Sequence, residues 1–147
     1  MRISDVLSGK ATAAGDPVVT VDPDATVREL LRLLAEHNIG AVVVSGDDGS
    51  VAGIVSERDV VRRLAADGDD VLDHSVSAIM TSDVQTCAPG DPVDELRIVM
   101  TERRIRHVPV VSDGRLTGII SIGDVVKSSL DQLKFERDQL DSYVHQT

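Results

Sequence analysis

Aromatic side chains are almost missing from this chain: among 147 residues there is no Trp, and Phe135 and Tyr143 are the only aromatics. Its core must therefore be aliphatic, and it cannot build the aromatic platforms on which proteins stack single-stranded nucleobases. A single cysteine, Cys87, excludes an internal disulfide framework. Four scattered histidines, His37, His74, His107 and His145, show no metal-ligand spacing. Positive charge is also short, with 15 Lys+Arg against 25 Asp+Glu and a net charge of -10, so most of the surface repels a phosphate backbone and nucleic acid is not expected as a ligand. Apolar runs such as Ala41 to Val44 fall far below the about 20 residues that cross a bilayer, and no uninterrupted apolar signal segment opens the chain. The expectation is a soluble cytoplasmic protein without membrane contact, made of one or two small domains.

Catalytic signatures are missing too. There is no Gly-x-Ser-x-Gly elbow, no phosphate loop and no glycine-rich dinucleotide fingerprint, so no enzyme activity, catalytic cofactor or metal site is expected. The acidic run Asp67 to Asp70 with Asp73 lacks the spacing of a calcium loop and reads as solvated.

What the chain does have is repetition. Thr20, Pro23, Val27, Glu29, Leu30, Glu36, Ile39, Val42 and Val44 recur 66 positions later, and GIVSERDVV (Gly53 to Val61) returns as GIISIGDVV (Gly118 to Val126). Each unit is too small to bury a good core alone, so the two copies should pack together.

Periodicity gives the elements of each unit. Val27, Leu30, Leu31, Leu34 and Ala35 mark one face of a helix that Thr26 and Glu29 cap and that stops near Asn38. Its counterpart is expected to begin at Asp91 with Pro92 as first helical residue and to bury Val93, Leu96, Val99 and Met100. β-Branched runs follow at Gly40 to Val44 and His107 to Val111, each turning back into Val51 to Val55 or Leu116 to Ile120. A second helix starts after Ser56 or Ser121, with Val60, Val61, Leu64 and Ala65 as its apolar face in the first copy. The order is strand, helix, strand, strand, helix, with Cys87 as a buried residue of the strand opening the second copy.

At the second helix of each copy stands Ser-x-x-Asp: Ser56 and Asp59, then Ser121 and Asp124. Free N–H groups and the positive end of the helix dipole suit a phosphate there. A serine hydroxyl can donate to a phosphate oxygen, and the carboxylate can accept from both hydroxyls of a ribose. The same pattern is also close to a capping box, which only finishes a helix end. Arg58, Arg62 and Arg63 gather at the first motif, and Arg103, Arg104, Arg106 and His107 at the second strand. Such positive islands in an acidic chain suit a small anion better than a long one. Arg58, Arg106 and His107 rank first because they adjoin the motifs.

The paired GIVSERDVV and GIISIGDVV segments, the IRHVPVV strand, the SAIMT stretch at Ser77 to Thr81 and the repeat order together resemble a tandem pair of CBS domains, over roughly Ile3 to Leu130. The resemblance implies an α/β fold of two βαββα repeats, related by a pseudo-twofold axis and packed through their sheets, with clefts at the repeat interface. The ranges read as 1–67 for the first repeat, 68–79 for a linker, 80–130 for the second repeat and 131–147 for a helical extension. It further implies an adenine nucleotide, AMP, ATP or NAD, as a regulatory ligand in those clefts. Without aromatics an adenine would lie between aliphatic groups such as Ile39, Ala41, Ile105 and Pro109, and Pro109 suits an edge strand facing a ligand. Thr20, Thr86, Met80 and Thr81 are carried over as further contacts. Val43 replaces Pro109, and Glu57-Arg58 replaces Ile122-Gly123, between the copies, so the two clefts need not bind alike.

Val126, Leu130, Leu133, Leu140 and Val144 form a heptad-like seam interrupted at Arg137, on a stretch from Asp124 to His145 without Gly or Pro. This predicts one extended helix packed on its own repeats or on a second subunit, and a homodimer. The function expected is a sensor that acts in trans on an unidentified protein partner. The competing expectations are a structural or adaptor homodimer with vestigial clefts and, last, an NAD-using enzyme.

Overall fold

The computed structural model describes residues 1–9 and 18–145, so parts of the ranges expected for the first repeat (10–17) and the extension (146–147) lie outside it. The first unit runs through β1 (Thr20–Val21), α2 (Val27–His37), β2 (Ala41–Ser45), β3 (Val51–Ser56) and α3 (Glu57–Asp67). A short helix, α1 (Ile3–Ser8), precedes it. In its sheet β1 is parallel to β2, and β2 is antiparallel to β3. The second unit contains α4 (Val93–Arg103), β4 (His107–Ser112), β5 (Arg115–Ser121) and the 24-residue α5 (Ile122–His145). A single parallel bridge from Cys87 to Val110 stands where β1 stands in the first.

Local chemistry sets these boundaries. Thr26 Oγ1 accepts from Glu29 N at 3.1 Å while Glu29 accepts from Thr26 N at 3.2 Å, which starts α2. Both α2 and α4 end on a left-handed residue, Asn38 and Arg104. Helix α4 starts at Val93, not Asp91; Pro92 is its N-cap, with extended ψ of 138°.

Each unit owns a core. Val27, Leu30 and Leu34 of α2 meet Val42, Val44, Val55 and Val60 in the first; Leu96 and Met100 meet Val108, Val110, Ile120 and Val125 in the second. Helix α3 contributes less than its pattern implies: Val61 is 64% exposed and Ala65 is exposed, because α3 lies on the core along one row and only Val60 is fully buried. Val99 is half-buried.

The stretch 68–79 is more than a linker. Its Val71, Val76 and Ile79 enter the first core, and Asp69–Asp73 is a 3-10 turn whose acids are exposed, as the reading of a solvated run expects, around the buried Val71. It docks by backbone bonds: Val27 N donates to His74 O (3.0 Å), Val76 N to Ala25 O (2.7 Å) and Ser77 N to Pro23 O (3.0 Å). The start of the chain makes the same three bonds to the second unit: Val93 N to Met1 O (3.1 Å), Ile3 N to Asp91 O (3.0 Å) and Ser4 N to Pro89 O (2.9 Å). Ile3 and Val6 thereby fill in the second core the holes that Val76 and Ile79 fill in the first. Residues 1–9 thus belong in space to the second unit, although the sequence boundaries place them with the first.

Strand alternation explains how the units meet. Val42 and Val44 face the helices, so Ala41 and Val43, 6% and 0% exposed, lie on the opposite face, through which the sheets pack. Leu116 N donates to Gly49 O at 3.2 Å between the two hairpins.

Candidate functional site

Strand register assembles two equivalent groups. Ala41 pairs with Ser56 and His107 with Ser121, so each motif serine stands directly across from the first residue of the neighbouring strand. The residue before that strand is fixed as well, since Glu57 N donates to Gly40 O at 2.9 Å and Ile122 N to Arg106 O at 2.8 Å. The first group therefore gathers Ile39, Ala41, Ser56, Arg58 and Asp59. The second gathers Ile105, Arg106, His107, Ser121 and Asp124.

Both motif pairs are closed as capping interactions. Asp59 Oδ2 accepts from Ser56 N at 2.8 Å and from Ser56 Oγ at 3.0 Å, and Ser56 Oγ accepts from Asp59 N at 3.3 Å. Asp124 Oδ2 accepts from Ser121 N at 2.9 Å, and Ser121 Oγ from Asp124 N at 3.1 Å. The helix-finishing role of Ser-x-x-Asp is thus realised in both copies. The four side chains stay partly exposed, so they border solvent.

The two helix starts differ in charge, a difference visible in the sequence only once the copies are superimposed. Glu57 Oε1 lies 3.4 Å from where a Cβ on Gly40 would be, so its carboxylate occupies the space over that glycine. In the second copy the glycine's place is held by Arg106 and the glutamate's by Ile122. One helix start carries an acid where the other carries a guanidinium, with His107 beside it.

The remaining candidates scatter more widely. Thr81 bridges Ile54 at the edge of β3 through two 2.9 Å backbone bonds, and Met80 Sδ would sit 2.6 Å from a Cβ on Gly53. These two therefore lie along the strand that ends at Ser56. Thr20 is exposed on β1 opposite Val43, and Thr86 is exposed one residue before Cys87. Ile39 and Ile105 are half-buried and pack on the first and second cores.

Pro109 lies in a two-stranded sheet whose other side meets only a lone bridge, and it is covered rather than open to a ligand. It is buried in β4, which runs between Cys87 and β5: Cys87 N donates to Pro109 O at 3.0 Å and Val111 N to Cys87 O at 2.8 Å. The missing N–H faces the segment ahead of Cys87, which accounts for a lone bridge there where the first unit has a strand. Cys87 itself is half-buried, and burial, with Asp91 second, pushes its thiol up to about 11. No cluster of His, Cys, Asp or Glu suited to a metal occurs among the described residues, and no helix among them is long and apolar enough to cross a membrane.

Comparison with known proteins gives this geometry a context. The family model of the CBS domain matches residues 11–66 and 76–131. A crystal structure of the CBS-domain containing protein ATU1752 from Agrobacterium tumefaciens is 46% identical, covering 88% of this chain and 99% of that one, with a TM-score of 0.80. The CBS domain protein PAE2072 from Pyrobaculum aerophilum, complexed with AMP, is 33% identical over 84% of this chain and 89% of that one, at a TM-score of 0.72. The CBS domain pair of protein MJ0100, in complex with 5-methylthioadenosine and S-adenosyl-L-methionine, is 26% identical over 90% of this chain and 98% of that one, at 0.77.

Proposed function

The chain belongs to the CBS domain family, and from that premise we propose that it is a regulatory sensor of an adenosine-containing metabolite, AMP, ATP or NAD, that acts in trans on a protein partner. Pairs of this family are regulatory modules, and two structural neighbours are complexes with adenosine compounds. The observation that carries the reading is the duplicated group of Ser, Asp and strand residue at two helix starts, held by the same backbone bonds in both copies. Arg106 and His107 favour a phosphate at the second helix start. Glu57 makes the first helix start better suited to a ligand without one. A ribose that engages either carboxylate competes with the cap bonds to Oδ2, so ligand binding and the helix start are linked. The sensor does no covalent chemistry; it transmits because its ligand binds two of its conformations unequally. A homodimer in the cytoplasm is part of this reading.

The closed caps favour a second reading, a structural or adaptor homodimer with vestigial clefts. Thermal melts of the protein with AMP, ATP, NAD and S-adenosylmethionine separate the two. A ligand at 100 times its dissociation constant stabilises by about 2.7 kcal/mol. Asp59→Asn and Asp124→Asn, which keep a cap acceptor, should lose that rise while keeping the unliganded melting temperature. Flat curves with every compound would leave the adaptor.

A further inference from the structure

Among the described residues, helix α5 is anchored only at its beginning. Val125 is 0% exposed, Ser128 Oγ donates to Met1 Sδ, and Arg97 reaches Ser129 Oγ at 3.4 Å. From Leu130 to His145 every residue is exposed. The seam is solvent-exposed: Val126 is 51%, Leu130 61%, Leu133 62%, Leu140 65% and Val144 64% exposed. It does not pack on the described residues of its own repeats.

We propose that this seam is covered by α5 of a second copy, running antiparallel and centred on Phe135. The stripe is its own complement under that twofold. Val126 meets Val144, Leu130 meets Leu140, and Arg137 meets Leu133, along which its aliphatic stem can lie. Run parallel, the same stripe sets Arg137 against Arg137 inside the seam, where a like-charge pair is costly.

The flanks point the same way. Lys127, Lys134 and Asp141 line one side of the seam, and Ser129, Glu136 and Tyr143 the other. Antiparallel pairing brings Lys127 to Asp141 at both ends. It also sets Lys134 near Lys134 and Glu136 near Glu136 at the dyad, where Arg137 of the opposite helix neutralises the glutamates. Parallel pairing instead brings Glu136 to Asp141 on both sides of the seam, near its C-terminal end. Exposed Ile98, on α4 beside the Arg97–Ser129 contact, extends the apolar surface to where the opposite helix would finish.

This sharpens the dimer reading and can fail separately from it. The test is sedimentation equilibrium of the full chain at low salt, with Asp141→Lys, Lys127→Glu, the two combined, and Leu133→Asp. All are exposed positions, so unchanged circular dichroism and melting serve as the folding control. Each charge variant alone should weaken the dimer by about fivefold or more, since two ion pairs become repulsive, and the combination should restore it to within about twofold. Leu133→Asp should give monomer. A tighter dimer in Asp141→Lys would overturn the antiparallel orientation, because it relieves the Glu136–Asp141 clash of the parallel form. A dimer unchanged by all four variants would remove α5 from the interface while leaving the dimer intact, and a monomeric parent protein would overturn both.

Discussion

Gly53 and Gly118 occupy equivalent positions in the two repeats, yet alanine should have different consequences at each. Neither has positive φ, so neither backbone resists a side chain. At Gly53 a Cβ would stand 2.8 Å from the carbonyl oxygen of Thr81 and 2.6 Å from Met80 Sδ. That oxygen is fixed, because it accepts from Ile54 N at 2.9 Å. The sheet edge or the Met80–Thr81 segment has to move, an overpacking that costs about 1–3 kcal/mol. Reduced freedom of the unfolded chain returns about 0.4–1 kcal/mol. Gly53→Ala should thus destabilise by about 1–2 kcal/mol, or about 3–8 °C in a chain of this size. At Gly118 the obstacle is the end of the Leu7 side chain, with Cδ2 at 2.8 Å and Cδ1 at 3.2 Å. Two rotatable bonds let Leu7 yield, so Gly118→Ala should stay within about 1 kcal/mol of the parent. Urea and thermal melts of both variants decide. Equal losses, or a larger loss at Gly118, would refute the assignment of the Thr81 carbonyl as the rigid obstacle.

The Cys87 thiol keeps its proton more tightly in the fold than in the unfolded chain, its pKa rising from 9.0 to about 11, so its contribution to stability is full below about pH 9 and is lost as pH rises toward 11. Urea melts of the parent and Cys87→Ala between pH 8 and 11 should show their difference shifting against the parent across that window, and a shift in its favour would sink the idea. Asp59→Ala and Asp124→Ala should each cost about 0.5–2 kcal/mol without any ligand, since each opens a helix cap; unliganded melts indistinguishable from the parent would mean the caps are not formed in solution.

The repeat was legible because both copies bury the same pattern, and a helical stripe such as Val27, Leu30, Leu34 is the same signal in sequence and in space. Both ends of α2 and the start of α3 followed for the same reason, their caps being local. What stayed hidden depends on distant partners. Ile3–Ser8 and Val76–Thr81 do the same job on opposite repeats, but six residues of loose similarity do not announce it. Pro109 reveals a missing donor, and only the register shows that the gap faces the segment ahead of Cys87. Val61 and Ala65 fit a helical stripe whose far edge finds no neighbour. Ser-x-x-Asp is ambiguous for a different reason: cap and ligand site need the same atoms, and the sequence does not say which demand is met.

That ambiguity bears on how a signal could travel. The segment 76–81 seals the first core through Val76 and Ile79, pairs with Ile54 through Thr81, and continues into the second repeat at Cys87. The opening segment seals the second core through Ile3 and Val6 before the chain enters the first. Each repeat is therefore completed by residues that lead into the other. A ligand that pulls Asp59 from its cap disturbs the start of α3 and, two residues back along β3, the strand that holds Thr81. In the proposed sensor, the Thr81 carbonyl held close over Gly53 would couple a shift at that helix start to the segment joining the repeats. Under that proposal, contact at Gly53 would turn a change at one helix cap into a change in how the repeats sit together, which is the kind of difference a partner reads.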